Sequence, residues 1–144
     1  MKIELSPLRA AIKCLDDSIR IVHNSEMMIK LDLETRNLLR SGVIQNFEVA
    51  FELCWKFMKK YLESDMGSVY VDGLHRKELF RICAQKHLIS DVEAWFAYNR
   101  SRNLTSHTYR EEYAEDVFMA AQDFLPDAKS FLKVMEEKNA EYKS

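Results

Sequence analysis

The stretch IQNFEVAFELCWKFMKKYLES, residues 44–64, decides the fold. Its apolar residues Ile44, Phe47, Phe51, Cys54, Trp55, Met58, Tyr61 and Leu62 recur in steps of three and four, which gathers them on one face of an α-helix. Glu48, Glu52, Lys56 and Lys60 form a second row at i, i+4 spacing. Such a ladder usually marks a solvated face, and the same row turned toward a cleft would meet a functional motif.

The flanking segments read the same way. On the N-terminal side, Ser6 before Pro7 predicts an N-cap with proline at the first helical position. Leu8, Ile12, Leu15, Ile19 and Val22 then predict a helix to about Lys30, with the polar run DLETRN as the turn into the next. On the C-terminal side, ESDMGSVYVDGLHR reads as a loop, with Gly67 and Asp72-Gly73 as turn signals. Leu79, Phe80, Ile82 and Cys83 mark a shorter helix that stops near His87. Ser90 and Asp91 can cap another, with Val92, Trp95 and Phe96 on its apolar face. Tyr113, Val117, Ala120, Phe124, Phe131 and Met135 mark the last helix, whose phase continues across Pro126 and predicts a kink there. The polar end, about residues 136–144, is expected to fray. The expectation is an all-α, antiparallel up-and-down four-helix bundle with one or two extra short helices, in one domain over residues 1–144.

Composition narrows the function. At 144 residues, 47% hydrophobic and 31% charged, the chain can bury a core without metal or disulfide. Three glycines and two prolines are too few to punctuate a many-stranded β fold. A formal net charge of −2 argues against a general nucleic-acid binder, so any RNA contact must come from a few clustered basic residues. No leader or membrane-spanning run is apparent. Cys14, Cys54 and Cys83 lack metal or disulfide spacing and read as small hydrophobes of a reducing cytoplasm. His23, His75 and His87 are isolated, and no metal site or cofactor is expected.

The residues that stand out from this helical pattern are RNLTSHTY, 102–109. Thr108 with Glu111 has capping-box form, which would start the last helix at Tyr109 and leave His107 just outside it. A helix N-terminus attracts anions, a histidine can exchange a proton near neutral pH, and an arginine offers a charged fork for phosphate. On an unbroken helix Arg100, not Arg102, would share a face with His107. The same residues also suit a plain helix end, since arginine and asparagine both favour the C-terminus.

RNLTSHTY resembles the Arg, four residues, His, any residue, Tyr signature of HepT-type proteins in the HEPN superfamily. The helix of residues 44–64 and the run HLISDVEAWFAYNRSRNLTSHTY resemble the nucleotidyltransferase substrate-binding subfamily. The resemblance departs at DGLHRKELFR, where the family often carries Ser-Pro-Arg-Glu. It implies a homodimer with both motifs lining one cleft, paired with a small nucleotidyltransferase in a toxin–antitoxin-like system. Some such proteins are metal-independent endoribonucleases silenced by AMP on the motif tyrosine. On that carry-over Arg102 and His107 are catalytic, Asn103 and Arg100 supporting, and Tyr109 the modified residue. Glu48, Glu52, Lys56 and Arg81 are candidates to line the cleft, with RNA or a nucleotide as ligand. The alternative is a non-catalytic subunit that binds substrate for the nucleotidyltransferase.

Overall fold

The computed structural model describes residues 2–142, and every regular element among them is helical. The order is α1 (Ser6–Val22), α2 (Ser25–Met28), α3 (Leu33–Met66), α4 (Ser68–Asp72), α5 (Arg76–Gln85), α6 (Val92–Asn103), a 3-10 turn (Thr105–His107) and α7 (Glu111–Glu141).

Several boundaries depart from expectation, although Asp91 caps its helix as expected. Ser6 lies inside α1, not at its cap, and the carboxylate of Glu4 accepts its backbone N–H at 2.9 Å. The first helix stops at Val22, not near Lys30, because Asn24 turns the chain and accepts the N–H of Met27 at 3.2 Å to begin α2. DLETRN is no turn: Asp32 accepts the N–H of Thr35 at 2.8 Å and α3 starts at Leu33. Within the expected loop, α3 continues to Met66 and α4 follows at once. Gly67 makes that break, at φ +94°, a backbone conformation costly for any other residue. Pro126 sits inside α7, which runs through it unbroken. The polar end stays helical through Glu141, where Asn139 accepts from Ile3 N–H at 3.0 Å and donates to Ile3 C=O at 2.7 Å. Residues 143–144 lie outside the described ones.

Contacts between helices give their directions. Arg9 meets Glu136, Asp16 meets Lys129 and His23 meets Gln122, so α1 and α7 run oppositely. Arg40 meets Glu111 while Phe51 meets Phe124, so α3 and α7 run the same way. Trp95 against Phe131 and Tyr98 against Phe124 set α6 against α7. The rings converge on Phe124, with Phe47 at 5.3 Å and Trp95 at 5.5 Å, both edge-on. Edge-to-face packing of this kind adds to the stabilisation from burial. Of the three cysteines, Cys54 and Cys83 are buried as expected of small hydrophobes, whereas Cys14 is exposed.

Candidate functional site

The site begins with α6. Asp91 caps it, accepting the N–H of Ala94 at 3.2 Å, and Trp95, Phe96 and Tyr98 bury one face in the core. The other face turns Arg102 toward Glu52 of α3 and Asn99 toward Arg76 of α5. After Asn103 the chain tightens into the 3-10 turn, where the hydroxyl of Thr105 lies 2.8 Å from the carbonyl oxygen of Arg102.

Two carboxylates and two guanidiniums meet here, so the cluster is neutral in net charge. Arg102 Nε lies 2.9 Å from Glu52 Oε1. Its N–H points off that line, so the contact is one of charge, and the buried Nε–H has no hydrogen-bond acceptor. Glu52 also accepts from both Nη atoms of Arg76, at 3.1 and 3.0 Å. Arg76 in turn reaches Asn99 Oδ1 at 3.3 Å and lies 4.7 Å over the ring of Trp55. Glu48 stands 4.0 Å from Arg102 Nη1 and is hydrogen-bonded by Thr105, whose oxygen also accepts from Arg102 Nη1 at 3.4 Å.

The other expected residues sit apart. His107 and Tyr109 are exposed, their rings edge to face at 6.2 Å. Arg100 and Asn103 are exposed, and among the described residues no side-chain hydrogen bond holds them or His107. Lys56 is exposed on α3, outside the cluster. Arg81 lies on α5 at 5.3 Å from the ring of Phe96, beside Lys77. The Glu-Lys ladder therefore divides: Glu48 and Glu52 turn to Arg102, and Lys60 lies 5.2 Å from the ring of Phe57.

Two expectations about the motif are corrected. Thr108 forms no capping box; its hydroxyl donates to the Thr105 carbonyl at 3.2 Å, and α7 starts at Glu111 with Arg110 as N-cap. Glu111 is held by Arg40, with N···O distances of 2.6 and 2.8 Å. That guanidinium keeps the Glu111 carboxyl below the usual carboxylate range. The start of α7 is also a poor phosphate seat, because its first turn carries Glu111 and Glu112.

Sequence reasoning missed Asn99 and Thr105. Arg76, Lys77 and Arg81 recur at helical spacing, which reads as plain surface or a basic track toward RNA, and nothing local tells which member turns inward. The pairing of Arg76 with Glu52, 24 positions away, selects it. Among the described residues no three His, Cys, Asp or Glu side chains converge to hold a metal ion. Cavities of about 450 and 400 Å³ are both lined by Lys2, Ile3 and Glu4, away from the motif.

Residues 3–137 match the family described as nucleotidyltransferase substrate binding protein like. The chain is 31% identical over 139 residues to a probable ribonuclease HepT of Haemophilus influenzae, covering 96% of this chain and 95% of that one. It superposes with a TM-score of 0.89 at 30% identity on a Haemophilus influenzae protein whose structure is described as the fold of a substrate binding domain of a nucleotidyltransferase. That alignment covers 92% of this chain and 99% of the other. A Thermus thermophilus protein shares the fold, with a TM-score of 0.66 at 24% identity over 87% of this chain and 98% of its own.

Proposed function

Because the chain belongs to the HepT-like nucleotidyltransferase substrate-binding family, we propose that it is a metal-independent endoribonuclease, the HEPN-type member of a toxin–antitoxin-like pair with a small nucleotidyltransferase. One observation carries this reading. Arg102 is braced from behind by Glu52, and His107 stands exposed one 3-10 turn further on. A fixed cation and an exposed imidazole on one short connection are the pair that phosphodiester cleavage needs. The ribonuclease name of the Haemophilus relative supports the same reading.

RNA places a phosphate at Arg102, and the adjacent ribose 2′-hydroxyl attacks phosphorus. His107 takes the hydroxyl proton or supplies one to the departing 5′-oxygen, leaving a 2′,3′-cyclic phosphate. Arg102 stabilises the charge that grows on the phosphoryl oxygens. Arg100 and Asn103, exposed at the end of α6, support the RNA strand, and Lys56 lines the cleft. Two copies form a homodimer that faces both motifs into one cleft. Tyr109, 81% exposed, is open to the partner nucleotidyltransferase. Its phenol oxygen would attack the α-phosphorus of ATP, pyrophosphate would leave, and the AMP would block the cleft.

The test is cleavage of RNA in EDTA by the purified protein and by a folded His107→Ala variant. Cleavage by the parent alone supports the proposal, and equal cleavage by both removes His107 from the chemistry.

A second reading is favoured by the neutrality of the Glu48, Glu52, Arg76 and Arg102 cluster. Such a cluster suits a reversible hold on one phosphate, as a substrate-binding subunit requires. Nucleotide binding weakened by Arg102→Ala, with no RNA cut, would decide for it.

A further inference from the structure

Glu48 and Glu52 stand one helical turn apart on α3, and both face Arg102, but they are not equivalent. Glu52 carries two cations, Arg76 through two hydrogen bonds and Arg102 through Nε. Its side chain is 23% exposed, and Arg76 is held further by stacking on Trp55. Moving Glu52 would leave both guanidiniums without their counter-charge in a half-buried place, where an unpaired charge is costly. Glu48 is more open, at 40%, and stands off at 4.0 Å from Nη1, at the outer end of the same guanidinium. Its one close partner among the described residues is the hydroxyl of Thr105.

Resting on the reading that Arg102 holds phosphate, we propose that Glu48 is an autoinhibitory carboxylate that occupies the phosphate seat in the empty site. A phosphate docking on the Nη end of Arg102 comes within a few ångströms of Glu48, and like charges at that separation repel. Glu48 can swing outward, because its side chain is half open to water. Glu52 stays, so Arg102 remains aimed as Glu48 leaves. The Thr105 hydroxyl loses its Glu48 acceptor in the same movement, and can then turn from the Arg102 carbonyl, 2.8 Å away, to donate to the incoming phosphate. Glu52 is thus a positioning residue, and Glu48 sets how strong an anion must be to enter.

The experiment is titration of 5′-AMP into the full chain by calorimetry, with Arg102→Ala, Glu48→Gln, Glu52→Gln and Glu52→Asp beside it and thermal melting to verify each fold. Glu48→Gln should tighten binding by roughly threefold to tenfold, the effect of removing one partly screened charge. Glu52→Gln should weaken it, and Glu52→Asp, which keeps the charge, should restore part of the loss. A merely structural role for Glu52 predicts no such rescue. If Arg102→Ala weakens binding and Glu48→Gln leaves it unchanged or weaker, the inference fails while the phosphate reading stands. Binding that is indifferent to Arg102→Ala, or absent from parent and Glu48→Gln alike, overturns both.

Discussion

At the scale of single residues, burial decides what the polar and reactive groups can do. Cys54 is fully enclosed, and desolvation pushes its thiol far above its ordinary value of 9.0. Cys83 is pushed up to about 12, again chiefly by burial, with Lys86 pulling weakly the other way. The thiolate is the reactive form, so both should be inert in the folded protein. A maleimide added to native protein should label Cys14 alone, and Cys54 and Cys83 should react only after unfolding. Rapid labelling of three thiols would contradict the packing. The same shift has a pH sign. Above pH 9 the unfolded chain releases the Cys83 proton and the folded chain keeps it, so stability falls as pH rises from 9 toward 12. Arg102 could be singled out from the sequence only because Arg102, His107 and Tyr109 resemble the family's motif; the residues by themselves suited a plain helix end equally well. Arg76, Asn99 and Thr105 could not be singled out, since each owes its place to partners brought close only by folding.

At the scale of elements, the sequence showed which residues pack and misplaced several helix ends, while the stop near His87 and the cap at Asp91 stand as read. The apolar rhythm of residues 44–64 survives intact in α3, because periodicity is a property of the helix itself. Ends depend on competing side chains. Asn24 and Asp32 each cap a helix within a stretch that read as a helix end or a turn. Thr108 and Glu111 made a convincing capping box until Arg40, 71 positions away, claimed the glutamate. One cap matters most for the site: Asp91 starts α6, the helix that ends at Arg102. Asp91→Ala should lower stability by about 1 kcal/mol, the usual worth of an N-cap, as read from chemical denaturation. Because Asp91 is solvent-exposed, the core should be untouched and the denaturant slope unchanged.

At the scale of the whole molecule, one aromatic core locks α3, α6 and α7 together at Phe124, and the motif rides on the end of α6 beside α3. The site is therefore built by long helices meeting, which puts the fold and the chemistry under one constraint. Arg102 is oriented by a glutamate that lies on the same helix as the core phenylalanines Phe47 and Phe51. The all-α fold was legible from composition and rhythm, and the neutral, four-residue charge cluster was not, because neutrality hides it from any count of charge. If this cluster serves cleavage at the ribose without a metal, the chemistry must be written in the ends of the RNA. Those ends should be identified after digestion in EDTA by protein whose mass shows Tyr109 unmodified. A 2′,3′-cyclic phosphate is predicted on one fragment and a 5′-hydroxyl on the other. Cleavage that yields 3′-hydroxyl ends, or that stops when EDTA is added, would contradict the mechanism.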